Sequence, residues 1–482
     1  MTRSTIVLVL VASVLPQVIC AQEPYDVAIN SGRVMDPETG LDAVRSLGVN
    51  AGAIAEIAER DLKGRVTIDA RGMVVAPGFI DLHSHGQDAF NYDMKAADGV
   101  TTALELEVGV EDIDRWYLER EGKSRVHFGA SVGHIPVRMK VMGDPPRFLP
   151  TSDARCATTE ASEEEMKRIV VGIERGLRRG AVAVGFGIQY TAAASRFEIL
   201  ECFRAAARWG ASCHVHMRHN GVKEPNNSTQ AIEEVIALAA VTGAPLHVVH
   251  IHSTSMRATA RHLQMIDGAR LRGVDVTTEC YPYTAGMTDI SSGVFADGWK
   301  DSLEIDESKL VWVATGERLT PETFAKYRKT GGLVAIHSIP EEAVLDAIRH
   351  PLCMIASDGL NENRKGHPRA AGCYARLLGH YVRETKALSL MEALAKSTLQ
   401  PARRLERLVP SMRRKGRVRK GADADLTLFD PEKIADRATF EEPTLPSIGI
   451  AWVLVGGKVV LREGKLVEGA VPGQGVRGET RQ

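Results

Sequence analysis

The chain has 482 residues, of which 44% are hydrophobic and 25% charged, and its formal net charge is −1. This composition excludes a disordered or fibrous protein and supplies enough apolar material for a large core and more than one domain. Because acidic and basic residues balance, electrostatics gives no reason to expect nucleic acid or a membrane surface as a partner.

The N-terminal segment has the layout of a secretory signal peptide. Arg3 precedes an apolar run over residues 6–15, and a proline and small residues ending at Ala21 follow. The apolar run is too short to span a bilayer as a stable helix. We expect residues 1–21 to be cleaved and the chain to be exported, with the periplasm as the expected destination. A lipid anchor on Cys20 is the weaker alternative, because an isoleucine and not a small residue precedes it.

Short β-like runs occupy both ends of the mature chain. From Tyr25 to Val75, alternating Val and Ile residues are interrupted by Gly, Asn and Asp at turns, which is typical of antiparallel sheets. The runs "ADLTLFD" and "IAWVLVGGKVVLREGKLV" repeat this pattern near the other end. We therefore predict a small β-sandwich domain built from both chain termini, residues 22–75 and 413–482.

The central region, residues 76–412, has a different period. Short apolar runs such as "HFGASVG", "AVAVGFG", "APLHVVHIH", "VDVTTECY", "GLVAIHS" and "LCMIASDG" alternate with amphipathic helical stretches. About eight such repeats predict an α/β protein with a (β/α)8 TIM barrel, whose strands are apolar on both faces because helices cover them. An open doubly wound sheet is the alternative, but no GxGxxG motif opens the first unit.

Polar side chains at the strand ends matter most in such a barrel, because its active site lies where the strands end. The stretch "PGFIDLHSHG" ends a strand with His83 and His85, and side-chain alternation points both imidazoles to the same side. Two neighbouring neutral imidazoles suit a divalent metal, zinc above all. Taken alone, the pair fits hydrogen-bonded surface histidines equally well.

Three later runs end in the same way. "GASCHVHMRHNG" contains His214 and His216, "APLHVVHIHS" ends with His250 and His252, and "LCMIASDGL" contains Asp358. Core packing does not explain this many histidines at strand ends, because a buried imidazole needs a partner for each nitrogen. The pattern favours a metal site assembled from several strands.

A larger set of motifs carries a family resemblance. The H-x-H pair after "PGFID" is followed by "GVTT", "HMR", "ECYPYTAGMT", "SDGL" and "GHPRAAG", and later by "GADADLTLFDP" and "VLVGGKVV". This combination resembles the amidohydrolase superfamily over nearly the whole mature chain. Within the superfamily it is more similar to the D-aminoacylase branch, the N-acyl-D-amino-acid deacylases.

The resemblance implies a centre that holds one or two zinc ions. His83 and His85 would bind at one metal position, and His216 of "HMR" would bind with His250 at the other. Asp358 of "SDGL" would lie beside the metal as the catalytic base. These roles are carried over from the motifs of the family.

The bridging ligand is where this chain departs from the family. Many superfamily members use a carboxylated lysine at the end of the fourth strand, but "GAVAVGFGIQYT" contains no lysine. The D-aminoacylase branch instead places a cysteine after the second strand, where "GVTTALELEVG" offers Glu105 and Glu107. A carboxylate can bridge two cations, and buried acidic pairs are costly without one. We predict Glu107 as the ligand, with Glu105 or a purely structural pair as alternatives, and His214 as the alternative to His216.

The resemblance also implies four substrate-binding side chains. Arg369 in "GHPR" lies eleven residues after Asp358, as the carboxylate-binding arginine of the branch does, and a guanidinium binds a carboxylate through two parallel hydrogen bonds. Tyr190 and Tyr283 lie where the family places phenols that polarise the scissile carbonyl or hold the substrate. His252 occupies the position of a second carboxylate-binding residue, a lysine in the family, and a neutral imidazole does not replace that charge.

Metal-activated water and an aspartate base together indicate hydrolysis of an amide next to a carboxylate. We predict a zinc-dependent hydrolase that cleaves linear amide C–N bonds other than peptide bonds. Its expected substrate is a small N-acylated amino acid, and the resemblance implies the D configuration. Alternatives on the same centre are a small dipeptidase and a cyclic amidase of the hydantoinase or dihydroorotase type, which the missing lysine disfavours. A non-catalytic exported binding protein is an alternative of another class. The sequence does not determine the acyl group or the side chain of the substrate. It also does not determine whether the protein is a homo-oligomer.

Overall fold

The structure of the protein is a computed structural model that describes residues 23–480. The predicted signal peptide and its cleavage site lie outside this range. Within it, no helix has both the length and the apolar character needed to cross a bilayer. The six cysteines of the described residues are all buried and unpaired.

The strands belong to the central barrel, to a sheet near the chain ends and to smaller inserted sheets. In chain order they are β1 (Tyr25–Asp36), β2 (Leu41–Asn50), β3 (Ala53–Ala58), β4 (Gly64–Asp69), β5 (Val74–Pro77), β6 (Phe79–Asp81), β7 (Val100–Val110), β8 (His127–Gly133), β9 (Val184–Gly187), β10 (Cys213–His216), β11 (Leu246–Val248), β12 (Val276–Cys280), β13 (Gly286–Asp289), β14 (Leu310–Trp312), β15 (Glu317–Arg318), β16 (Leu333–Ile336), β17 (Cys353–Ile355), β18 (Asn361–Glu362), β19 (Lys365–Gly366), β20 (Leu426–Phe429), β21 (Ile450–Val455), β22 (Lys458–Arg462) and β23 (Lys465–Leu466).

The helices lie mostly between the barrel strands. In chain order they are α1 (Ala89–Ala97), α2 (Ile113–Leu118), α3 (His134–Met142), α4 (Arg155–Thr158), α5 (Glu163–Arg178), α6 (Arg196–Trp209), α7 (Ser228–Thr242), α8 (Ile251–Ser255), α9 (Thr259–Leu271), α10 (Trp299–Leu303), α11 (Pro321–Thr330), α12 (Glu341–Arg349), α13 (Arg369–Arg376), α14 (Leu390–Ser397) and α15 (Leu399–Leu405).

Eight parallel strands form the central barrel, in the order β6-β7-β8-β9-β10-β11-β12-β17. The two ends of this sheet meet where Ser84 forms a parallel bridge with Gly359, and the His85 backbone N–H donates to the Gly359 carbonyl at 3.0 Å. The strands are buried along nearly their whole length, as a wall covered by helices requires. The predicted (β/α)8 barrel is confirmed.

One predicted strand lies elsewhere. The run that contains Leu333–Ile336 forms β16 of a four-stranded sheet, β13-β16-β14-β15, inserted between β12 and β17, and not a barrel strand. Val334 and Ile336 pack into a separate apolar cluster with Trp299 and Leu310. An apolar strand buried in an insertion has the same pattern as a barrel strand, so periodicity did not separate them.

Helix α5 illustrates how the covering layer forms from the sequence. Ser162 and Glu165 make a reciprocal capping box at its start, which satisfies two of the backbone N–H groups exposed at a helix N-terminus. Ile169, Ile173 and Leu177, spaced four residues apart, form one buried stripe. The apolar spacing therefore fixes which face of the helix meets the strands.

A nine-stranded sheet joins the two ends of the chain. Strand β5 pairs with β1 on one side and with β20 on the other, so β1–β5 and β20–β23 form one sheet. Gly78 connects β5 directly to the first barrel strand, β6. A side chain at Gly78 would clash, because its Cβ would lie 2.2 Å from Cγ2 of Thr101. The sheet thereby holds the strand that leads to His83 and His85.

Candidate metal centre

Six polar side chains converge at the carboxyl-terminal end of the barrel. His83 and His85 follow β6, Glu107 lies on β7, His216 ends β10, His250 follows β11, and Asp358 follows β17. They line or adjoin a cavity of about 80 Å³. Strands that are distant in sequence are neighbours in the barrel, so residues more than 250 positions apart meet here.

The first half of the centre consists of His83, His85 and Glu107, with Asp358 beside them. The Nε2 atoms of the two histidines lie 3.0 Å apart. Oε2 of Glu107 lies 3.1 Å from Nε2 of His83 and 3.2 Å from that of His85. Oδ1 of Asp358 lies 3.4 Å and 3.2 Å from the same two nitrogens. These atoms surround one point at which a cation would be bound.

The second half shares Glu107. Its Oε1 lies 2.7 Å from Nδ1 of His216 and 3.6 Å from Nε2 of His250. The two carboxylate oxygens of Glu107 therefore face different histidine pairs. This is the arrangement expected of a carboxylate that bridges two cations.

The remaining ring nitrogens of these histidines have partners outside the centre. Nδ1 of His83 lies 2.6 Å from Glu279, Nδ1 of His85 lies 2.7 Å from Glu105, and Nε2 of His216 lies 2.7 Å from Oε1 of Gln189. Oxygen acceptors at these positions bind the N–H of each ring and leave the opposite nitrogen with a free lone pair.

The donor set fits a divalent metal such as zinc. Nε2 of His83, Nε2 of His85 and Oε2 of Glu107 lie within 3.2 Å of one another, and Nδ1 of His216 faces the other oxygen of Glu107, an arrangement that a bound cation would stabilise. Groups of three such residues lie with their ligand atoms within 4.8 Å of one another. Imidazole and carboxylate together are ligands that zinc binds readily.

The electrostatics of the centre also favours a cation. Burial lowers the pKa of His83, but the carboxylates of Asp358, Glu279 and Glu107 outweigh it and raise the pKa to about 10. Burial alone would raise the pKa of Glu107, yet the neighbouring imidazoles, with His83 the largest influence, hold it well below its usual range. The centre therefore has an excess of negative charge that a bound cation would compensate.

Asp358 is held in a strained backbone conformation. Its φ of 49° is in the left-handed region, which residues other than glycine rarely adopt. The preceding residue, Ser357, donates its N–H and its hydroxyl to Asp81, which also pairs with Lys95 at 2.8 Å. This buried network fixes the loop after β17 and presents the Asp358 carboxylate to the histidines.

Arg369 is the predicted substrate-binding residue that lies nearest the centre. Its Nη2 donates to Oδ2 of Asp358 at 2.9 Å, and its guanidinium lies 4.3 Å from the ring centroid of Tyr281. Its Nε and Nη1 are buried and have no partner among the described residues. A cationic group that lines the cavity and keeps unpaired donors is suited to a carboxylate ligand.

The other predicted substrate residues divide into two groups. Tyr190 lines the cavity, with its ring 4.9 Å from that of His216 and its hydroxyl 3.3 Å from that of Thr288. Tyr283 does not line it, because its hydroxyl points away towards Asp436 at 3.5 Å. Tyr281, two residues earlier, lines the cavity instead.

His252 lies behind the cavity wall and does not line it. Its ring is fully buried, 4.2 Å from the centroid of Tyr281, and neither nitrogen has a partner among the described residues. Burial, together with the charges of His250 and Arg369, lowers the pKa of His252 to about 3. The ring is therefore neutral and supplies no charge to a substrate carboxylate.

The alternative ligands lie outside the centre. Glu105 binds His85 and accepts the backbone N–H groups of Val108 and Gly109, so it orients a ligand and does not face the cation position. His214 is fully buried with its ring 4.7 Å from that of His247, away from the converging groups. Of the alternatives Glu105 and Glu107, the structure brings Glu107 to the centre. Of His214 and His216, it brings His216.

Three contributing residues were missed by the sequence reasoning. Glu279 and Gln189 orient two of the histidines, and Tyr281 forms part of the cavity wall. A signal for Glu279 was present, because a carboxylate in the otherwise uncharged strand "VTTEC" needs a buried partner. Gln189 and Tyr281 follow the regular part of their strands and carried no comparable signal.

The cavity beyond the centre is largely apolar. Among the described residues that line it, Arg369 is the sole lysine or arginine. The apolar part of the wall comprises Val108, Phe148, Leu149, Met287, Val294, Leu303, Leu333, Leu360, Ile336 and Ile339.

Comparisons with known proteins agree with this geometry. A family model described as the amidohydrolase family matches residues 74–460. N-acyl-D-glutamate deacylase of Alcaligenes xylosoxydans xylosoxydans is 30% identical, with 91% of this chain and 94% of that protein covered. D-aminoacylase of the same organism is 27% identical, with 92% and 95% covered.

A solved structure shows the same similarity in three dimensions. N-acyl-D-glutamate deacylase from Bordetella bronchiseptica, complexed with zinc and a phosphonate inhibitor, is 28% identical to this chain. Its TM-score is 0.80, with 94% of this chain and 100% of that chain covered. The similarity thus includes the barrel and both segments of the terminal sheet.

Proposed function

The chain belongs to the amidohydrolase family, and we propose that it is a zinc-dependent deacylase of N-acyl-D-amino acids whose side chain is apolar. The observation that carries the proposal is the convergence of His83, His85, His216 and His250 on Glu107, beside the paired carboxylate and guanidinium of the cavity. The names of its relatives support the reaction class and the D configuration.

Zinc held by these five residues would supply Lewis-acid polarisation of the amide carbonyl and activation of water at neutral pH. Asp358 has its Oδ1 towards the ligand cluster and its Oδ2 bound by Arg369. In this position the carboxylate accepts a proton from the attacking water and then donates it to the departing amine nitrogen. The nitrogen leaves as an amine, the acyl carbon takes the hydroxyl, and Asp358 returns to its ionised form.

Two side chains orient the substrate. Arg369 lines the cavity and keeps unpaired donors, one of which can bind the carboxylate of the amino acid and so orient the amide bond towards the centre. Tyr190, beside His216, has a hydroxyl within the cavity that can donate a hydrogen bond to the carbonyl oxygen. Burial raises the pKa of Tyr190 well above its usual value, so the phenol keeps its proton.

The cavity supports a substrate with one carboxylate. Arg369 is the one cationic chain that lines it among the described residues, and Asp289 adds a negative charge to the same wall. A second carboxylate on the substrate would lose its hydration without gaining a partner. Apolar residues around the remaining space would instead contact an apolar side chain or acyl group.

The competing functions have less support. A cyclic amidase with a lysine-bridged centre would need that lysine after β9, where this chain has Gln189 and Tyr190. A non-catalytic binding protein finds no support, because the relatives that cover this chain are named as enzymes.

A substrate panel tests the proposal. The zinc-loaded protein is assayed with N-acetyl-D-leucine, N-acetyl-D-glutamate, N-acetyl-L-leucine and hydantoin, before and after metal removal by a chelator. We expect kcat/KM for the D-leucine substrate to exceed that for D-glutamate by at least about tenfold, because the second carboxylate stays unpaired. Preference for the glutamate substrate would contradict the apolar specificity, and selective opening of hydantoin would contradict deacylation itself.

Export to the periplasm is part of the proposal. It is supported by the basic, apolar and small-residue layout of the first 21 residues. N-terminal sequencing of the protein from a cell fraction tests it, with Gln22 expected as the first residue.

A further inference from the structure

A second cavity lies at the opposite end of the barrel from the metal centre. Its volume is about 310 Å³. The segments that form it are those that precede or begin β11, β12 and β17, together with the end of α6 and helix α15. Its residues are Gly210, Pro245, Arg270, Asp275, Thr277, Pro351, Leu352, Met354, Gln400, Arg403, Arg404 and Arg407. It shares no residue with the cavity at the metal centre.

The charge of this second cavity is strongly unbalanced. Four arginines line it, and Asp275 is the one carboxylate among the described lining residues. Nη1 of Arg404 lies 2.8 Å from Oδ1 of Asp275, and Nη1 of Arg270 lies 3.8 Å from the same oxygen. One carboxylate oxygen is therefore shared by two guanidinium groups.

Nearby carboxylates compensate little of the positive charge of the other two arginines, Arg403 and Arg407. Arg403 reaches Glu38 only at 3.6 Å, and the same carboxylate already pairs with Arg417 at 2.8 Å and with Arg419 at 3.2 Å. Arg407 lies over Gly210, where its Nε would be 2.5 Å from an added Cβ. Among the described residues, no carboxylate lies within 4.0 Å of the Arg407 guanidinium.

Arg404 provides an independent sign of a ligand. Its side chain is 3% exposed, and Nε donates to Ser212 while Nη1 pairs with Asp275. Its Nη2 is buried and has no partner among the described residues. Burial lowers the pKa of Arg404 more than the Asp275 carboxylate raises it. An unpaired buried guanidinium N–H is costly, and an anion in the cavity would satisfy it.

We propose that this second cavity is a binding site for a phosphate group, free or on a small organic molecule. Guanidinium groups bind phosphate oxygens through paired, charge-assisted hydrogen bonds. Arg270, Arg403, Arg404 and Arg407 provide an excess of three positive charges over Asp275, enough for a dianion. Pro245, Leu352 and Met354 add apolar surface beside the arginines, which would contact the organic part of a phosphate ester.

The test uses the zinc-loaded protein and isothermal titration at constant ionic strength. Inorganic phosphate and phenyl phosphate are each titrated into the wild type, the double variant Arg403→Ala/Arg407→Ala, and the control Arg261→Ala, which removes an exposed arginine of α9 outside the cavity. Both substituted arginines of the double variant are exposed, so folding should persist. Inhibition of deacylation is followed in parallel to detect phosphate bound at the metal centre.

We expect the double variant to bind phosphate at least about tenfold more weakly than the wild type, since two charge-assisted contacts are lost. Arg261→Ala should bind as the wild type does, and inhibition at the metal centre should be the same in all three proteins. Tighter binding of phenyl phosphate would assign the cavity to an organic phosphate, and equal binding would assign it to free phosphate. Unchanged affinity of both probes for the double variant would overturn the proposal.

Discussion

Nδ1 of His83 lies 2.6 Å from Oε1 of Glu279, a contact that joins the first barrel strand to the seventh. The other oxygen of Glu279 lies 2.9 Å from Nε2 of His247. Nδ1 of His247 lies 2.8 Å from the hydroxyl of Thr277. This buried chain fixes the ring of His83, and so determines which of its nitrogens faces the metal position.

Glu279→Gln should weaken metal binding about tenfold to a hundredfold, because the amide cannot accept from both His83 and His247 and carries no charge. The measurement is zinc content against a graded series of chelator concentrations. Activity at saturating zinc should recover in part, since the variant retains every ligand. A variant with wild-type zinc affinity would show that Glu279 only fills space.

Glu107→Gln and Glu107→Cys should behave differently. Each oxygen of Glu107 faces a different pair of histidines, so a neutral amide removes the shared anionic ligand and lowers the number of metal ions per chain. A cysteine thiolate is a strong zinc ligand, whereas a neutral amide is a weak one. Metal analysis after dialysis should therefore show more zinc in Glu107→Cys than in Glu107→Gln. Equal zinc contents for both variants and the wild type would argue against Glu107 as a ligand.

Strand periodicity predicted the fold and gathered the candidate residues of the centre, and the family resemblance then assigned their roles. In a closed parallel barrel, every strand ends at the same rim, so His83, His216 and Asp358 could be brought together without knowledge of the intervening loops. Leu333–Ile336 shows the limit of this reasoning, because an apolar strand of an inserted sheet has the same pattern as a strand of the barrel. The family resemblance pointed to Tyr283, whereas Tyr281, on the other side of a bend at Pro282, lines the cavity.

Asp358→Asn should lower kcat for N-acetyl-D-leucine by about 10²–10⁴ even in preparations whose zinc content is brought to that of the wild type, because an amide cannot accept the proton of the attacking water. Single-turnover rates and metal content of the same preparation measure the two quantities. Asp289→Asn is the matched control, since Asp289 lines the same cavity but contacts Ser291 and Gly332 and not the histidines. A comparable loss in both variants would mean that the effect is one of cavity charge and not of proton transfer.

The stability of the fold at low pH should depend on Asp425. This buried carboxylate contacts Lys415 at 2.7 Å and His127 at 3.1 Å. Burial alone would raise the pKa of Asp425, but its contacts with Lys415, the stronger influence, and with His127 hold that pKa well below its usual range. A lowered folded pKa gives stability that is present above the unfolded value of about 3.9 and is lost as the pH falls below it.

Asp425→Asn should therefore destabilise the protein by about 1–3 kcal/mol at pH 7, because the buried Lys415 keeps only Asp423, at 3.0 Å, as an anionic partner. The melting temperature should also fall less steeply between pH 5 and pH 3 than in the wild type, as about one titrating group is lost. Thermal melts across this range measure both effects. The control Asp301→Asn changes a carboxylate that is 77% exposed and should melt as the wild type does. Parallel acid limbs for Asp425→Asn and the wild type would refute the assignment.

Met287→Arg should shift the substrate preference towards acidic side chains. Met287 lies half-buried on β13 in the apolar part of the cavity wall, so a guanidinium there would face the space beyond Arg369. The ratio of kcat/KM for N-acetyl-D-glutamate to that for N-acetyl-D-leucine should rise about tenfold, because the second carboxylate gains a charge-assisted partner. Met287→Gln, which is polar but uncharged, is the control and should change the ratio much less. If both variants raised the ratio equally, polarity and not charge would determine the substrate preference. The lack of a second cationic side chain in the cavity wall would then not explain the preference for apolar substrates.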